Sequence, residues 1–137
     1  MADDWNTQII NEFRANEGKV GGPFAEMPLL LLHHTGAKTG TERVNPIAYQ
    51  RVGGSYAVFA SNAGRQQDPQ WFRNLVATPD ASVEVGTKTV KVRARVADPA
   101  EREPIWQQQK LDAPGFAGYE ETAAPRVIPV VLLDPVA

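Results

Sequence analysis

The 137-residue chain is one domain's length, with no room for a second core. Its 42% hydrophobic and 22% charged residues exclude wholesale disorder, and the lack of cysteine excludes disulfides, thiolate metal sites, iron–sulfur clusters and a cysteine nucleophile. A net charge of −2 argues against a general nucleic-acid binder, which would be basic.

The only imidazoles, His33 and His34, are adjacent, so they cannot build an HExxH zinc site, and a histidine triad would have to rest on one of them. The longest aliphatic run, Leu29–Leu32, is far short of a bilayer span. Met1-Ala2-Asp3-Asp4 is acidic where a signal peptide would be basic, and no apolar run follows. A cytoplasmic location is expected. Asp3, Asp4 and Glu12 on the first helix argue against more than weak peripheral attachment to an acidic membrane.

In chain order, Asp3 or Asp4 can cap a helix to about Asn16, with Trp5, Ile9 and Phe13 as an apolar stripe and Gly18 as its stop. Gly21-Gly22-Pro23 is a break. Leu29–His34 predicts a strand, turned at Gly36–Gly40 into a second strand, Arg43–Arg51, whose Pro46 marks an edge or bulge. Gly53-Gly54 turns into a third strand, Ser55–Ser61. After a polar loop, Asp68-Pro69 predicts a capped helix start, and Pro79 its stop. Ala81–Val85 and Thr89–Val96 read as a hairpin, its second arm alternating apolar residues with Lys91, Arg93 and Arg95. Asp98-Pro99-Ala100-Glu101 is a capping box that opens a helix to about Lys110. Lys110–Pro125 reads as a loop, and Val127–Leu133 as a last strand interrupted by Pro129.

Six strands, mostly in hairpins, and three helices predict an α+β fold that is mainly β. It is an antiparallel sheet closed or nearly closed into a small barrel, with helices outside. GxGxxG and GxxxxGK[ST] are both absent, which removes the two commonest nucleotide fingerprints.

Charge is uneven along the chain. From Gly36 to Leu75, Lys38, Arg43, Arg51, Arg65 and Arg73 face only Glu42 and Asp68, a net +3, and the remainder carries −5. A specific anionic ligand and scattered surface arginines both account for this. In the Gly36–Gly40 turn, two glycines let backbone N–H groups face an anion, and Lys38 and Arg43 supply charge; an ordinary hairpin turn is the plainer reading. Ala60-Ser61-Asn62-Ala63-Gly64-Arg65 permits close approach of a flat ligand, or is simply a loop. Trp71 and Asn74, three apart on a helix, offer an aromatic wall and an amide, or else a core residue and a surface residue. One of His33 and His34 points inward and the other outward, each more plausibly structural than catalytic. Phe116 and Tyr119 mark an aromatic segment able to close over a pocket, or a loose connection.

Together these segments resemble the deazaflavin-dependent (coenzyme F420) nitroreductase and quinone reductase family. The resemblance rests on Leu30–Gly40 with Arg43–Ile47, on Ala60–Gly64, on Asp68–Leu75 with Thr78-Pro79-Asp80, and on Arg126–Val131. It runs from about Phe24 onward, so a single barrel domain follows an N-terminal helix at 1–18.

The resemblance implies an FMN-binding split-barrel-like fold and coenzyme F420, an 8-hydroxy-5-deazaflavin with a phosphate and a polyglutamate tail. On matching positions, Lys38, Thr39 and Arg43 would hold phosphate and tail. Val44, Asn45, Pro46, Ile47 and Ala48 would line the groove, and Phe59, Ala60, Ser61 and Asn62 would flank the ring. Gln70, Trp71, Phe72, Arg73 and Asn74 would complete the site, and Phe116 and Tyr119 would lie near the substrate. Two positions depart from the pattern: Asn62 stands where many members have Lys, and Ala113 where some have Tyr. The implied activity is hydride transfer from the reduced deazaflavin to a quinone, nitroaromatic or conjugated enone or lactone. Ser61 and Tyr119 would be the catalytic residues, donating to the acceptor's oxygen, and no metal is involved. An FMN-dependent oxidoreductase on a related barrel and a non-catalytic deazaflavin carrier are the alternatives. The partners implied are a small-molecule acceptor and a second copy of the chain.

Overall fold

A computed structural model describes residues 2–18 and 28–136. The Gly21-Gly22-Pro23 break and Phe24 lie outside the described residues. Six strands are present: β1 (Leu29–Thr35), β2 (Glu42–Val52), β3 (Ser55–Phe59), β4 (Asp80–Val85), β5 (Lys88–Val96) and β6 (Val130–Pro135). They close into a barrel of order β1-β2-β3-β6-β5-β4. Every neighbouring pair is antiparallel. The expected six-stranded antiparallel barrel is what forms.

Period-2 alternation sorts the side chains. Leu30, Leu32, Tyr56, Val58, Val83, Val92, Val131 and Leu133 fill the interior. On the outside, Leu29 and Leu31 meet Ile9 and Phe13 of α1 (Ala2–Ala15). Asp3 and Asp4 fall inside the first turn of α1 rather than before it, and the Trp5 side chain lies outside the described residues. Gly18 ends this segment at φ +94°, and a Cβ there would sit 2.6 Å from Gly86 Cα in the β4–β5 turn, so only glycine lets the chain pass.

β2 changes neighbours midway. Glu42–Ala48 pairs with β1, and Tyr49–Val52 with β3. Pro46, opposite Leu31, therefore stands where β2 has a partner on one side only, the edge position its missing N–H demands.

Among the described residues four α-helices form where three are expected. α2 (Gln70–Ala77) crosses from β3 to β4, packing Leu75, Trp71 and Phe72 on the interior cluster. α3 (Pro99–Asp112) opens as predicted: Pro99 stands at N1 and the Asp98 carboxylate accepts from Glu101 N at 2.8 Å. The Lys110–Pro125 stretch is not a loop. α3 continues to Asp112, and α4 (Gly115–Ala123) follows. Tertiary burial of Phe116 and Ala123 outweighs the low helix propensity of Gly115 and Gly118. Both helices cover a second apolar cluster, in which Phe59, Trp106 and Phe116 meet at ring-centroid distances of 5.7–6.1 Å.

β6 starts at Val130, not Val127. Val127 is 68% exposed, and Pro129, which cannot donate, instead gives its carbonyl to Ala60 N.

Candidate functional site

The predicted site segments meet around the start of α2. Asp68 does not cap this helix, whose N-cap is Pro69 with no side-chain bond. Its carboxylate instead accepts from Arg126 Nη1 at 2.8 Å. Four residues into α2, Asn74 is fully buried, and its Oδ1 accepts from Gln70 Nε2 and from Ala37 N, both at 3.0 Å. One short helix thus ties the Gly36–Gly40 turn to the polar loop at 60–68. Of the Trp71–Asn74 pair, the amide is the buried member, and Trp71 is half-buried against the interior cluster.

The Ala37 contact fixes a proton. A backbone N–H can only donate, so Asn74 Oδ1 must face Ala37 and its Nδ2 must face His34 Nδ1, 3.0 Å away. His34 Nδ1 is then an acceptor, and Nε2–H donates to Asn45 Oδ1 at 2.7 Å. His34, 3% exposed, is a neutral imidazole with both nitrogens used. Burial pushes its pKa down, outweighing the Asn45 hydrogen bond, and the nearby charges of Arg43 and His33 lower it further.

His33 faces outward and behaves oppositely. Its Nδ1 meets Glu42 at 2.8 Å and its Nε2 meets Glu84 at 2.6 Å, while Arg14 of α1 donates twice to the same Glu84. Burial alone would lower its pKa, but the hydrogen bonds and charges of Glu42 and Glu84 together raise it. One imidazole faces inward and the other outward, as the strand alternation implies.

Lys38 and Thr39 are exposed on the β1–β2 turn, and Arg43 is exposed at the start of β2. Gly36 lies beneath them: a Cβ there would stand 2.8 Å from Thr39 Oγ1 and 3.6 Å from Arg43 Nε. The charge imbalance read in the sequence becomes physical here. Both anions of the Gly36–Leu75 stretch are engaged by residues from outside it, Glu42 by His33 and Asp68 by Arg126. Among the described residues, Lys38, Arg43, Arg65 and Arg73 have no carboxylate partner, and Arg51 stacks on Tyr56 at 4.4 Å.

The structure divides the Val44–Ala48 run. Val44 and Ala48 pack toward α1, Ile47 toward the barrel interior, and Asn45 toward His34; Pro46 is half-buried. A strand alternates its side chains, so these five do not face one groove. Phe59 and Ala60 are buried as well, Phe59 in the outer aromatic cluster. Gln70 and Arg73 are exposed, and Phe72 lines an apolar hollow of about 200 Å³ with Val76, Pro79 and Val96.

Ser61 and Asn62 are half-buried at the end of β3, leading into a 3₁₀ turn at Asn62–Gly64. α4 lies directly on that turn. Thr122 Oγ1 donates to Gly64 O at 2.8 Å, and a Cβ on Gly64 (φ +79°) would be 2.1 Å from Thr122 Oγ1 and 3.0 Å from Tyr119 Cα. Tyr119 is half-buried with its ring 5.3 Å from Phe116. Phe116 is only 8% exposed and belongs to the packed aromatic cluster. The aromatic segment is therefore a docked helix beside Ser61.

Sequence reasoning missed Arg126 as a site residue. Its guanidinium donates to the carbonyls of Ala60, Ser61 and Arg65 and to Asp68. A single arginine before a strand carries no local signal of that role. Among the described residues no group of His, Asp or Glu is placed to hold a metal, and no helix is long and apolar enough to cross a membrane.

A family profile described as F420H(2)-dependent quinone reductase matches residues 5–135. An F420H(2)-dependent quinone reductase of Mycobacterium tuberculosis is 35% identical over 125 residues, 88% of this chain and 83% of the relative. A solved structure described as an F420-H2 dependent reductase (FDR-A) superposes with a TM-score of 0.71 at 34% identity, covering 78% of this chain and 94% of its own. Another, described as a domain-swapped dimer, gives 0.73 at 32%, covering 98% and 100%. With the profile spanning nearly the whole chain, this protein belongs to the F420H(2)-dependent quinone reductase family and is an oxidoreductase that uses coenzyme F420.

Proposed function

We propose that this chain reduces a quinone with reduced F420 and that the Gly36–Gly40 turn and the Ser61–Asn62 loop form the binding site. The observation that carries the site assignment is the set of unbalanced cations. Lys38 and Arg43 stand exposed beside Thr39, and the carboxylates of their own segment are neutralised from elsewhere. An anionic phosphate and polyglutamate tail fits such a surface, and Arg43 can grip it bidentately.

When bound, reduced F420 supplies a hydride from its ring and gives up a proton as it becomes oxidised; the quinone gains the hydride and one solvent proton to become the hydroquinone. The protein's own part is placement and charge stabilisation. Ser61 hydroxyl and the half-buried Tyr119 lie beside the loop where a flat ring would rest, and each can donate to the quinone oxygen as negative charge builds there. Asn74, buried, acts on the site through the Ala37 turn rather than by contact.

Incubating the purified protein with reduced F420 and menadione tests this reading, with recovery of the oxidised deazaflavin's absorbance as readout. Saturable re-oxidation dependent on menadione is expected. No binding of F420, or tighter binding of FMN in competition, overturns it. Binding without turnover of any acceptor makes the protein a carrier instead. The relative described as a domain-swapped dimer supports pairing of two copies, which light scattering checks.

A further inference from the structure

We infer that Arg126 is a positioning residue for the reaction: it holds the Ala60–Arg65 carbonyls so that the Ser61 and Asn62 N–H groups point at the acceptor's oxygen. This rests on the function proposed above, and on geometry that the reading does not itself use.

Arg126 spends all five of its N–H bonds on one loop. Nε donates to Arg65 O at 3.1 Å, Nη1 to Ala60 O at 3.0 Å and Asp68 Oδ1 at 2.8 Å, and Nη2 to Ser61 O at 2.9 Å and Arg65 O at 2.7 Å. Its side chain is 12% exposed, and Asp68 balances its charge. A guanidinium so fully engaged has no donor left for a ligand, so its effect on chemistry must pass through the backbone it holds.

A trans peptide points its N–H opposite to its carbonyl. Ala60 O is drawn to Arg126, and Ser61 O is held by Arg126 together with Gly64 N–H at 2.9 Å, so the N–H groups of Ser61 and Asn62 are aimed away from the guanidinium. Neither has an acceptor among the described residues, nor does the Ser61 hydroxyl. Ser61 is right-handed (φ −72°, ψ −34°) and Asn62 has φ +50°, a succession that turns neighbouring N–H groups toward one point. Asn62 is kept in that conformation by its own Nδ2 donating to Gln67 O at 3.0 Å. Two backbone donors and a hydroxyl are thus left without acceptors on the loop that α4 covers at Gly64, a set suited to an oxygen gaining negative charge during hydride transfer.

Arg126→Lys keeps a cation for Asp68 but cannot span three carbonyls. Its kcat for menadione at saturating F420, per folded protein, is expected to fall about 10- to 100-fold, a larger factor than the accompanying change in its Kd for F420. A kcat within twofold of the parent overturns the inference, as does a loss matched by an equal loss of F420 affinity. Should the variant not fold, the parent decides. In ¹⁵N-labelled protein saturated with oxidised F420, added menadione should shift the Ser61 and Asn62 amide resonances, and unmoved amides overturn the inference. A parent that never turns over menadione strikes the function reading instead; unmoved amides in a parent that does turn over strike only this one.

Discussion

Replacing Asn74 with alanine removes the link between α2, the Gly36–Gly40 turn and His34. Three hydrogen bonds disappear, to Ala37 N, Gln70 Nε2 and His34 Nδ1, each 3.0 Å long. Ala37 and Gln70 are exposed, so water replaces their partner and the loss there is about 1 kcal/mol in all. His34 Nδ1 is buried and loses its only donor, which costs about 1–3 kcal/mol. The expected total is about 2–4 kcal/mol, or a Tm lower by about 6–15 °C for a chain of this length. Urea unfolding followed by far-UV circular dichroism gives the free energy, and a thermal scan gives the Tm. Val76→Ala, on the exposed side of the same helix, is the control and should stay within about 0.5 kcal/mol. A loss below about 1 kcal/mol for Asn74→Ala at unchanged denaturant slope would refute the reasoning, because His34 would then not depend on this amide. Asn74→Asp adds a second check. Its carboxylate can still accept from Ala37 but offers only lone pairs to His34 Nδ1, so the imidazole must take up a second proton and its pKa must rise above that of the parent.

The two histidines should titrate on opposite sides of the ordinary value near 6.5, His33 above and His34 below, and ¹H–¹⁵N spectra across pH 4–9 would show the order. By linkage, the His33 contribution to stability is full below about 6.5 and lost as pH rises through its raised folded pKa; the His34 contribution is full above about 6.5 and lost as pH falls toward its lowered one. A reversed order would contradict both environments. Lys38→Ala combined with Arg43→Ala should weaken F420 binding at least tenfold at low salt and flatten its salt dependence; titration curves that match the parent's would remove the tail site. Gly64→Ala should cost at least about 2 kcal/mol in urea unfolding, because its Cβ needs the space of Thr122 Oγ1 at φ +79°. A near-neutral result would mean that α4 can shift away from the loop.

The barrel was legible because its information is local. Alternation in Thr89–Val96, the Gly53-Gly54 turn and the Asp98 cap each act within a few residues, and each forms close to its predicted place. Around α2 the segments were legible but their contacts were not. Asp68 reads as a cap from its neighbours, yet a guanidinium 58 residues away captures it. Asn74 reads as a ligand amide, yet it faces Ala37, 37 residues earlier. α4 was hidden for a related reason: Gly115, Gly118 and flanking prolines signal a loop, and only the aromatic pocket of Phe59 and Trp106 makes helix the better state for Phe116. Val44–Ala48 read as one run, and strand alternation sends the Val44 and Ala48 side chains toward α1 and Ile47 inward.

The interlock of the 60–65 loop, α4 and Arg126 bears on engineering by chimera. Gly64 fits only against Tyr119 and Thr122, Gln66 Nε2 reaches Ala124 O, and Arg126 clasps the loop from the other end of the same stretch. Grafting residues 113–123 alone from a relative would therefore break these contacts. A transplant that preserves the interlock must carry both strips of chain, the one that follows β3 and the one that precedes β6, as a single cassette.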